Sequence, residues 1–151
     1  MKIGIVNDHR GYLLKTELVK YLIQKKYEVI NYGTDSEESV DYPEYGFLIG
    51  NKVVSGEVDY GIAICGSGIG ISIACNKVDG VRCAKVNNSD EAYYTRIDND
   101  ANIIALSGKM LVSDAKKIID VFLSTEFSKV ERHVRRIAMI SKYEESRYNE
   151  R

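Results

Sequence analysis

The stretch "AICGSGIGISIA", residues 63–74, runs from an apolar segment through three glycines into a second apolar segment. The first three residues of the stretch continue an apolar run that begins at position 60. This run, 60–65, predicts a buried strand. A glycine-rich turn that opens a helix is a common continuation of such a strand. The stretch therefore predicts one strand–loop–helix unit of an α/β fold.

Similar apolar runs recur on both sides of this unit and alternate with helical patterns. Continuous apolar strands are buried on both faces of a sheet, and parallel neighbours need crossover connections. The sequence therefore predicts an α/β, Rossmann-like, doubly wound sandwich with a five-stranded parallel sheet and an extra C-terminal helix. The predicted strands are 2–6, 27–33, 60–65, 81–86 and 102–106, and the predicted helices include 42–55, 113–127 and 128–148.

Composition narrows the class of protein. The 151 residues predict a single domain over 1–151, and a net charge of -1 gives no basic field for nucleic acid. No apolar run has the length of a signal peptide core or a membrane span, so we expect a cytoplasmic protein. Three cysteines without a C-x-x-C pair, and only two histidines, do not form a zinc motif.

Candidate ligand-binding residues follow the predicted strands, because ligands gather at the carboxyl ends of parallel strands. Gly66, Gly68 and Gly70 suit close approach of the backbone to an anion. Their spacing fits neither the dinucleotide fingerprint nor the phosphate loop of nucleotide-binding enzymes. Taken alone, such a loop is more often a structural turn than a site.

The side chains beside this loop each allow two interpretations. Cys65 is either a reactive thiol, since amide donors favour the thiolate, or a small buried apolar residue. In "DH", Asp8 either orients the imidazole of His9 or caps the next helix beside an exposed histidine. Arg132 and Arg136 lie one helical turn apart and form either a phosphate fork or a solvated basic face.

Three other residues receive no role. Cys75 falls in a predicted helix and Cys83 in a predicted strand, which indicates structural positions. His133 lies off the face that Arg132 and Arg136 share.

Taken together, several motifs point to a known family. They are "DHRG" (8–11), "YGT" (32–34), "VDYP" (40–43), "SGEVDYGIAICGSGIGISIACNKVDGVR" (55–82), "NDAN" (99–102) and "RHVRR" (132–136). Nearly end to end, the chain resembles the type B ribose-5-phosphate isomerases and the related galactose-6-phosphate and allose-6-phosphate isomerases. The resemblance implies a small-molecule sugar phosphate as ligand, no metal or cofactor, and no nucleic acid or membrane partner. It also implies a homodimer or a dimer of dimers with active sites between subunits.

The resemblance also implies roles for individual residues. Cys65 would be the base that moves a proton between C1 and C2 of an open-chain sugar phosphate through a cis-enediol, and Ser67 would pass a proton between oxygens. Backbone amides of residues 66–70 would stabilise the enediolate. The substrate-binding residues would be Asp8, His9, Arg10, Tyr42, Gly66, Gly68, Ile69, Gly70, Asn99 and Lys109, and the phosphate would be held by His9, Arg132 and Arg136.

Three positions depart from the family pattern. Asp98 stands where relatives have the histidine that is thought to open the sugar ring, and a carboxylate is a poor proton donor at pH 7. Either Asp98 still serves as a catalytic group, or opening occurs without it, or the substrate is a four-carbon phosphate that needs no opening. Lys109 stands where relatives often have arginine, so an ammonium point charge takes the place of a forked guanidinium. Arg10 replaces a small residue beside His9.

The leading hypothesis is a cofactor-independent aldose–ketose isomerase with ribose 5-phosphate and ribulose 5-phosphate as default substrates. Another pentose, hexose or tetrose phosphate is a variant of the same hypothesis. One alternative is a subunit of a hetero-oligomeric isomerase of the galactose-6-phosphate type. The other is a sugar-phosphate-binding protein without catalytic activity.

Overall fold

The computed structural model describes residues 1–149 and contains a five-stranded parallel sheet in the order β2-β1-β3-β5-β4. The strands are β1 Lys2–Asn7, β2 Glu28–Asn31, β3 Tyr60–Cys65, β4 Cys83–Lys85 and β5 Ile103–Ser107. The helices are α1 Tyr12–Gln24, α2 Tyr42–Val54, α3 Ile69–Cys75, α4 Ser89–Ile97, α5 Val112–Ser124 and α6 Glu131–Asn149. A short 3-10 helix, His9–Gly11, precedes α1. The predicted five-stranded parallel sheet is confirmed.

The sheet has a separate apolar core on each face. Ile62 and Ile64 of β3 pack on one face with side chains of α1, α4 and α5. Ala63 and Cys65 of the same strand pack on the other face with side chains of α2 and α3. Alternate residues of one strand thus contribute to both cores, which explains why the strand sequence is apolar throughout. The doubly wound arrangement predicted from the sequence is confirmed.

The two edge strands are shorter than the sequence predicts. The apolar runs 27–33 and 81–86 contain strands of only four and three residues. An edge strand pairs on one side only, so fewer of its residues are held in the ladder. The described chain also contains α4, which the sequence analysis did not delimit. Its N-cap is Asn88, whose side chain accepts a hydrogen bond from the amide of Glu91 at 2.9 Å.

The C-terminal helix α6 has no buried residue among those described. Its start lies beside the end of α4, where the amide of Ser128 donates to the carbonyl of Ile97 at 3.2 Å. The predicted apolar stripe of α6 consists of Val130, Val134, Ile137 and Ile140. Val130, Val134 and Ile140 are 40–49% exposed, whereas Ile137 is half-buried, and Ile137 and Ile140 line a cleft with Cys83 and Ala84 of β4. None of the helices in residues 1–149 has both the length and the hydropathy that crossing a membrane requires.

A buried arginine fixes the segment between α4 and β5. Arg96 is 4% exposed, and its guanidinium donates to Asp100 Oδ1 at 2.7 Å and to the carbonyls of Ala101 and Thr125 at 2.8 and 3.0 Å. The guanidinium also lies over the ring of Tyr60. Arg96 therefore joins the loop before β5 to the segment between α5 and α6.

We predict that Arg96→Ala lowers the free energy of unfolding by about 3 kcal/mol, since it leaves buried carbonyls without donors. Urea unfolding monitored by circular dichroism measures the change. The control is Arg135→Ala, which removes only an exposed pair with Glu131 on α6 and should have little effect. Equal destabilisation by the two variants would contradict the prediction.

Candidate active site

Three loops meet at the carboxyl edge of the sheet around the end of β3. The amide of Asp8, after β1, donates to the carbonyl of Ile64 at 3.0 Å, and the amide of Gly108, after β5, donates to the carbonyl of Cys65 at 2.8 Å. Ser107 Oγ donates to the carbonyl of Gly66 at 2.8 Å. Cys65 is the last residue of β3 and is 4% exposed. Its thiol therefore lies where the loops of the three central strands converge.

The glycine loop contacts this thiol directly. The amide of Gly68 donates to Cys65 Sγ at 3.2 Å. Gly68 has φ +77°, and a Cβ there would lie 2.8 Å from the carbonyl carbon of Leu106. The ring of Tyr42 covers Gly70 so closely that a Cβ would lie 2.6 Å from Cζ. Ser67 Oγ accepts from the amide of Ile69 at 3.2 Å. Glycine is thus required at two positions for the loop to approach its neighbours.

The structure decides between the two interpretations of "DH". Asp8 is 5% exposed, and its Oδ1 accepts from the amides of Arg10 and Gly11 at 2.9 and 3.2 Å, so it caps the 3-10 helix. The imidazole of His9 is oriented instead by Val40, whose amide donates to Nδ1 at 3.2 Å. Because Nδ1 accepts, the neutral imidazole carries its proton on Nε2, which suits donation to an anion.

A buried lysine supports the loop that orients His9. Lys15 is 2% exposed, and its Nζ lies 2.9 Å from the carbonyl of Thr34 and 2.5 Å from Asp35 Oδ1. Hydrogen bonds from Lys15 and Asn31 hold the pKa of Asp35 below its ordinary value. Lys15 thus anchors the start of the segment that ends at Val40.

A cleft of about 370 Å³ opens beside the glycine loop. Three of the side chains at its wall are basic: His9, Arg10 and Lys109. Glu37 is the acidic residue at the same wall. The excess of positive charge suits a small anionic ligand.

The remaining predicted residues lie at the opposite edge of the sheet. Asp98 is the C-cap of α4, and Asn99 follows it, so both come before the start of β5. The five residues of β5 separate the two edges by about 13 Å, at a rise of about 3.3 Å per residue. Arg132 and Arg136 are exposed on α6, and neither has an ion-pair partner within residues 1–149.

The structure therefore divides the predicted site residues into two groups. The carboxyl-edge group is Asp8, His9, Arg10, Tyr42, Cys65, Gly66, Ser67, Gly68, Ile69, Gly70 and Lys109. The amino-edge group is Asp98, Asn99, Arg132 and Arg136. One chain cannot place both groups around one small molecule.

The structure adds His133, to which the sequence analysis assigned no role, to the amino-edge group. His133 Nε2 lies 3.3 Å from Asp98 Oδ1, and the two side chains are 13% and 38% exposed. Thirty-five positions separate the two residues in the sequence, so no local pattern could have indicated the contact.

The two other cysteines occupy structural positions, in agreement with the sequence analysis. Cys75 is fully buried. A hydrogen bond with Cys75, together with burial, raises the pKa of the Cys83 thiol well above its ordinary value. The Cys83 thiol therefore remains protonated near neutral pH, and both cysteines lie away from the three converging loops.

Doubly wound α/β domains bind small ligands at the carboxyl edge of the sheet, which is where this protein has its thiol and its glycine loop. The fold and the site therefore define a small-ligand-binding α/β domain. Comparison with known proteins specifies the family: the profile described as Ribose/Galactose Isomerase matches residues 3–140. The chain belongs to this family, which confirms the resemblance noted in the sequence.

Individual relatives cover almost the whole chain. A putative sugar phosphate isomerase of Bacillus subtilis is 45% identical over 96% of this chain and 98% of the relative. Ribose-5-phosphate isomerase B of Escherichia coli is 40% identical over 97% and 98%. The solved structure of Clostridium thermocellum ribose-5-phosphate isomerase B superposes with a TM-score of 0.94 at 48% identity, covering 97% of this chain and 99% of that chain. The protein is accordingly an enzyme of the aldose–ketose isomerase class.

We predict that Gly68→Ala lowers the free energy of unfolding by more than about 2 kcal/mol, because it adds a steric clash to the cost of a positive φ. Gly56→Ala is the matched control: Gly56 has φ +79°, and no neighbouring atom lies within 4 Å of the place that a Cβ would occupy. The Gly56→Ala variant should lower the free energy of unfolding by only about 1 kcal/mol, because it adds no steric clash. Chemical unfolding of both variants measures the difference, and equal losses would contradict the packing argument.

Proposed function

We propose that this protein interconverts an aldose phosphate and a ketose phosphate without a cofactor, with ribose 5-phosphate and ribulose 5-phosphate as its substrates. The observation that supports this proposal most directly is the hydrogen bond from the Gly68 amide to Cys65 Sγ at the junction of three loops. The ribose-5-phosphate isomerases among the relatives support the choice of substrate.

Cys65 is the proposed base. As a thiolate it removes the proton from C2 of the open-chain aldose, and the electron pair of the C–H bond moves into a C1–C2 double bond. The carbonyl oxygen on C1 takes up a proton, which gives a cis-enediol. Return of a proton from the thiol to C1, with loss of the proton from the C2 hydroxyl, gives the ketose. The amide of Gly68 donates to the same sulfur atom that takes up and returns the proton.

The other carboxyl-edge residues have supporting roles in this proposal. Backbone amides of the glycine loop donate to the developing enediolate oxygen, and one well-placed donor lowers such a barrier by about 3 kcal/mol. Ser67 passes the proton between O1 and O2. His9 Nε2 donates to the phosphate, because Val40 holds its Nδ1.

A second copy of this chain completes the proposed site. The carboxyl-edge group contains the base, whereas Asn99, Arg132 and Arg136 lie at the opposite edge of the same sheet. A two-fold dimer brings the carboxyl edge of one subunit to the amino edge of its partner, and it does so twice. Exposed apolar side chains are available for such an interface: Ile69 and Ile73 of α3 are 55% and 58% exposed, and Val134 and Ile140 of α6 are exposed as well.

We expect Cys65→Ala to lower kcat for ribose 5-phosphate by at least about 10²-fold, since the variant lacks the base. Formation of ribulose 5-phosphate, followed by NMR with the purified chain alone, measures this loss. Cys83→Ala is the matched control, because Cys83 lies outside the converging loops, and it should retain wild-type turnover.

Other outcomes would identify a different function. Turnover that requires a second, unlike chain would show a hetero-oligomeric isomerase. Sugar-phosphate binding that survives Cys65→Ala, with no turnover by the wild type, would show a binding protein. Turnover of a tetrose phosphate alone would change the substrate and leave the chemistry in place.

Mixing two inactive variants tests the shared site. Cys65→Ala and Arg136→Ala each damage every site in their own dimers, but a mixed dimer contains one site with an intact Cys65 and an intact Arg136. Random reassortment of subunits should restore about a quarter of wild-type activity. Absence of any recovery after confirmed subunit exchange would place both residues in one chain's site.

A further inference from the structure

The contact between Asp98 and His133 assigns a function to a residue that the proposed mechanism does not use. His133 Nε2 lies 3.3 Å from Asp98 Oδ1, and position 98 is where the family resemblance implies a ring-opening histidine. We propose that His133 supplies the imidazole that opens the sugar ring, and that Asp98 is its positioning residue. This inference rests on the proposed function, because it concerns the substrate's cyclic form.

The two residues are held together within one chain. The amide of Ser128 donates to the carbonyl of Ile97, next to Asp98, and the guanidinium of Arg96 donates to the carbonyl of Thr125. These bonds fix the start of α6 against the end of α4. Asp98 and His133 therefore enter any shared site together, whichever subunit provides Cys65.

The orientation of the imidazole suits a proton transfer. Nε2 lies toward the carboxylate, and Nδ1 has no hydrogen-bond partner within residues 1–149. The carboxylate beside Nε2 orients the ring and leaves Nδ1 as the nitrogen that meets the substrate. An imidazole can accept and return a proton in one step sequence, whereas a carboxylate is a weak proton donor near neutral pH.

The position along α6 also fits the geometry of the substrate. His133 directly follows Arg132 and lies one turn before Arg136, the two proposed phosphate ligands. In a furanose 5-phosphate the ring oxygen is bonded to C4, the neighbour of the carbon that bears the phosphate. His133 shares a helical turn with the phosphate ligands but is turned off their common face toward Asp98, which in this proposal places its imidazole to one side of the phosphate, where the ring oxygen lies.

The proposed step conserves protons and electrons. Nδ1 accepts the proton of the anomeric hydroxyl as the C1–O4 bond breaks with its electron pair on O4, and a C1–O1 double bond forms. The imidazolium then returns the proton to O4. The open aldehyde is the substrate for Cys65, and His133 ends the step in its starting protonation state.

The test compares two reactions of the same protein. Ribose 5-phosphate must be opened before Cys65 acts, whereas ribulose 5-phosphate cannot form a five-membered ring because its O5 is esterified. We expect His133→Asn to lower turnover of ribose 5-phosphate by about 10²-fold. Incorporation of solvent deuterium into C1 of ribulose 5-phosphate, which needs only the enediol step, should remain at the wild-type rate.

Two further variants complete the design. Glu131→Gln is the matched control, because it removes an exposed pair on α6 outside the site and should leave both reactions unchanged. Adding Asp98→His to His133→Asn places an imidazole at position 98, where the resemblance implies one, and it should restore turnover of ribose 5-phosphate.

The outcomes separate this inference from the proposed function. A wild-type protein that catalyses neither reaction overturns the proposed function and this inference with it. Wild-type activity that His133→Asn leaves intact in both reactions overturns this inference alone. Loss of both reactions in His133→Asn also overturns it, because His133 would then hold the phosphate or the helix rather than open the ring.

Discussion

The arrangement of the carboxyl edge depends on two backbone hydrogen bonds at the end of β3. The carbonyls of Ile64 and Cys65 accept from the amides of Asp8 and Gly108, each at the start of a neighbouring loop. Each such bond contributes only about 1 kcal/mol to stability, but together they fix where three loops begin relative to one thiol. Because β3 is the central strand, hydrogen bonds to β1 and β5 fix its position from both sides, and they fix the position of Cys65 at its end as well.

The polarity of a parallel sheet imposes the second constraint. Loops that follow strands lie at one edge, and loops that precede strands lie at the other, so one chain cannot collect Cys65 and Asp98 around a small ligand. A symmetric pair of chains removes this limit without any change of fold. The start of α6 lies at the amino edge, beside the end of α4, so Arg132 belongs to the edge opposite Cys65.

The sequence was sufficient for the fold because buried parallel strands are continuous apolar runs, which local patterns reveal. It was less informative about the edge strands, whose lengths depend on pairing. It left Asp8 undecided because a cap and a catalytic orienter have the same sequence signature, and only the distances to the amides of Arg10 and Gly11 distinguish them. The sequence could not predict the contact of His133 with Asp98, because the loop before β5 and the start of α6 are far apart in the chain and meet only in the folded structure.

Charge balance at the amino edge favours a role for His133 beyond structure. A carboxylate at position 98 lies on the same edge as Arg132 and Arg136, and as a free anion it would compete with a phosphate for both guanidiniums. The structure places the carboxylate on the imidazole instead and leaves both arginines without an ion-pair partner within residues 1–149. One contact therefore keeps the arginines available for an anion and orients a group that can transfer a proton, two requirements that an unpaired carboxylate at position 98 would set against each other.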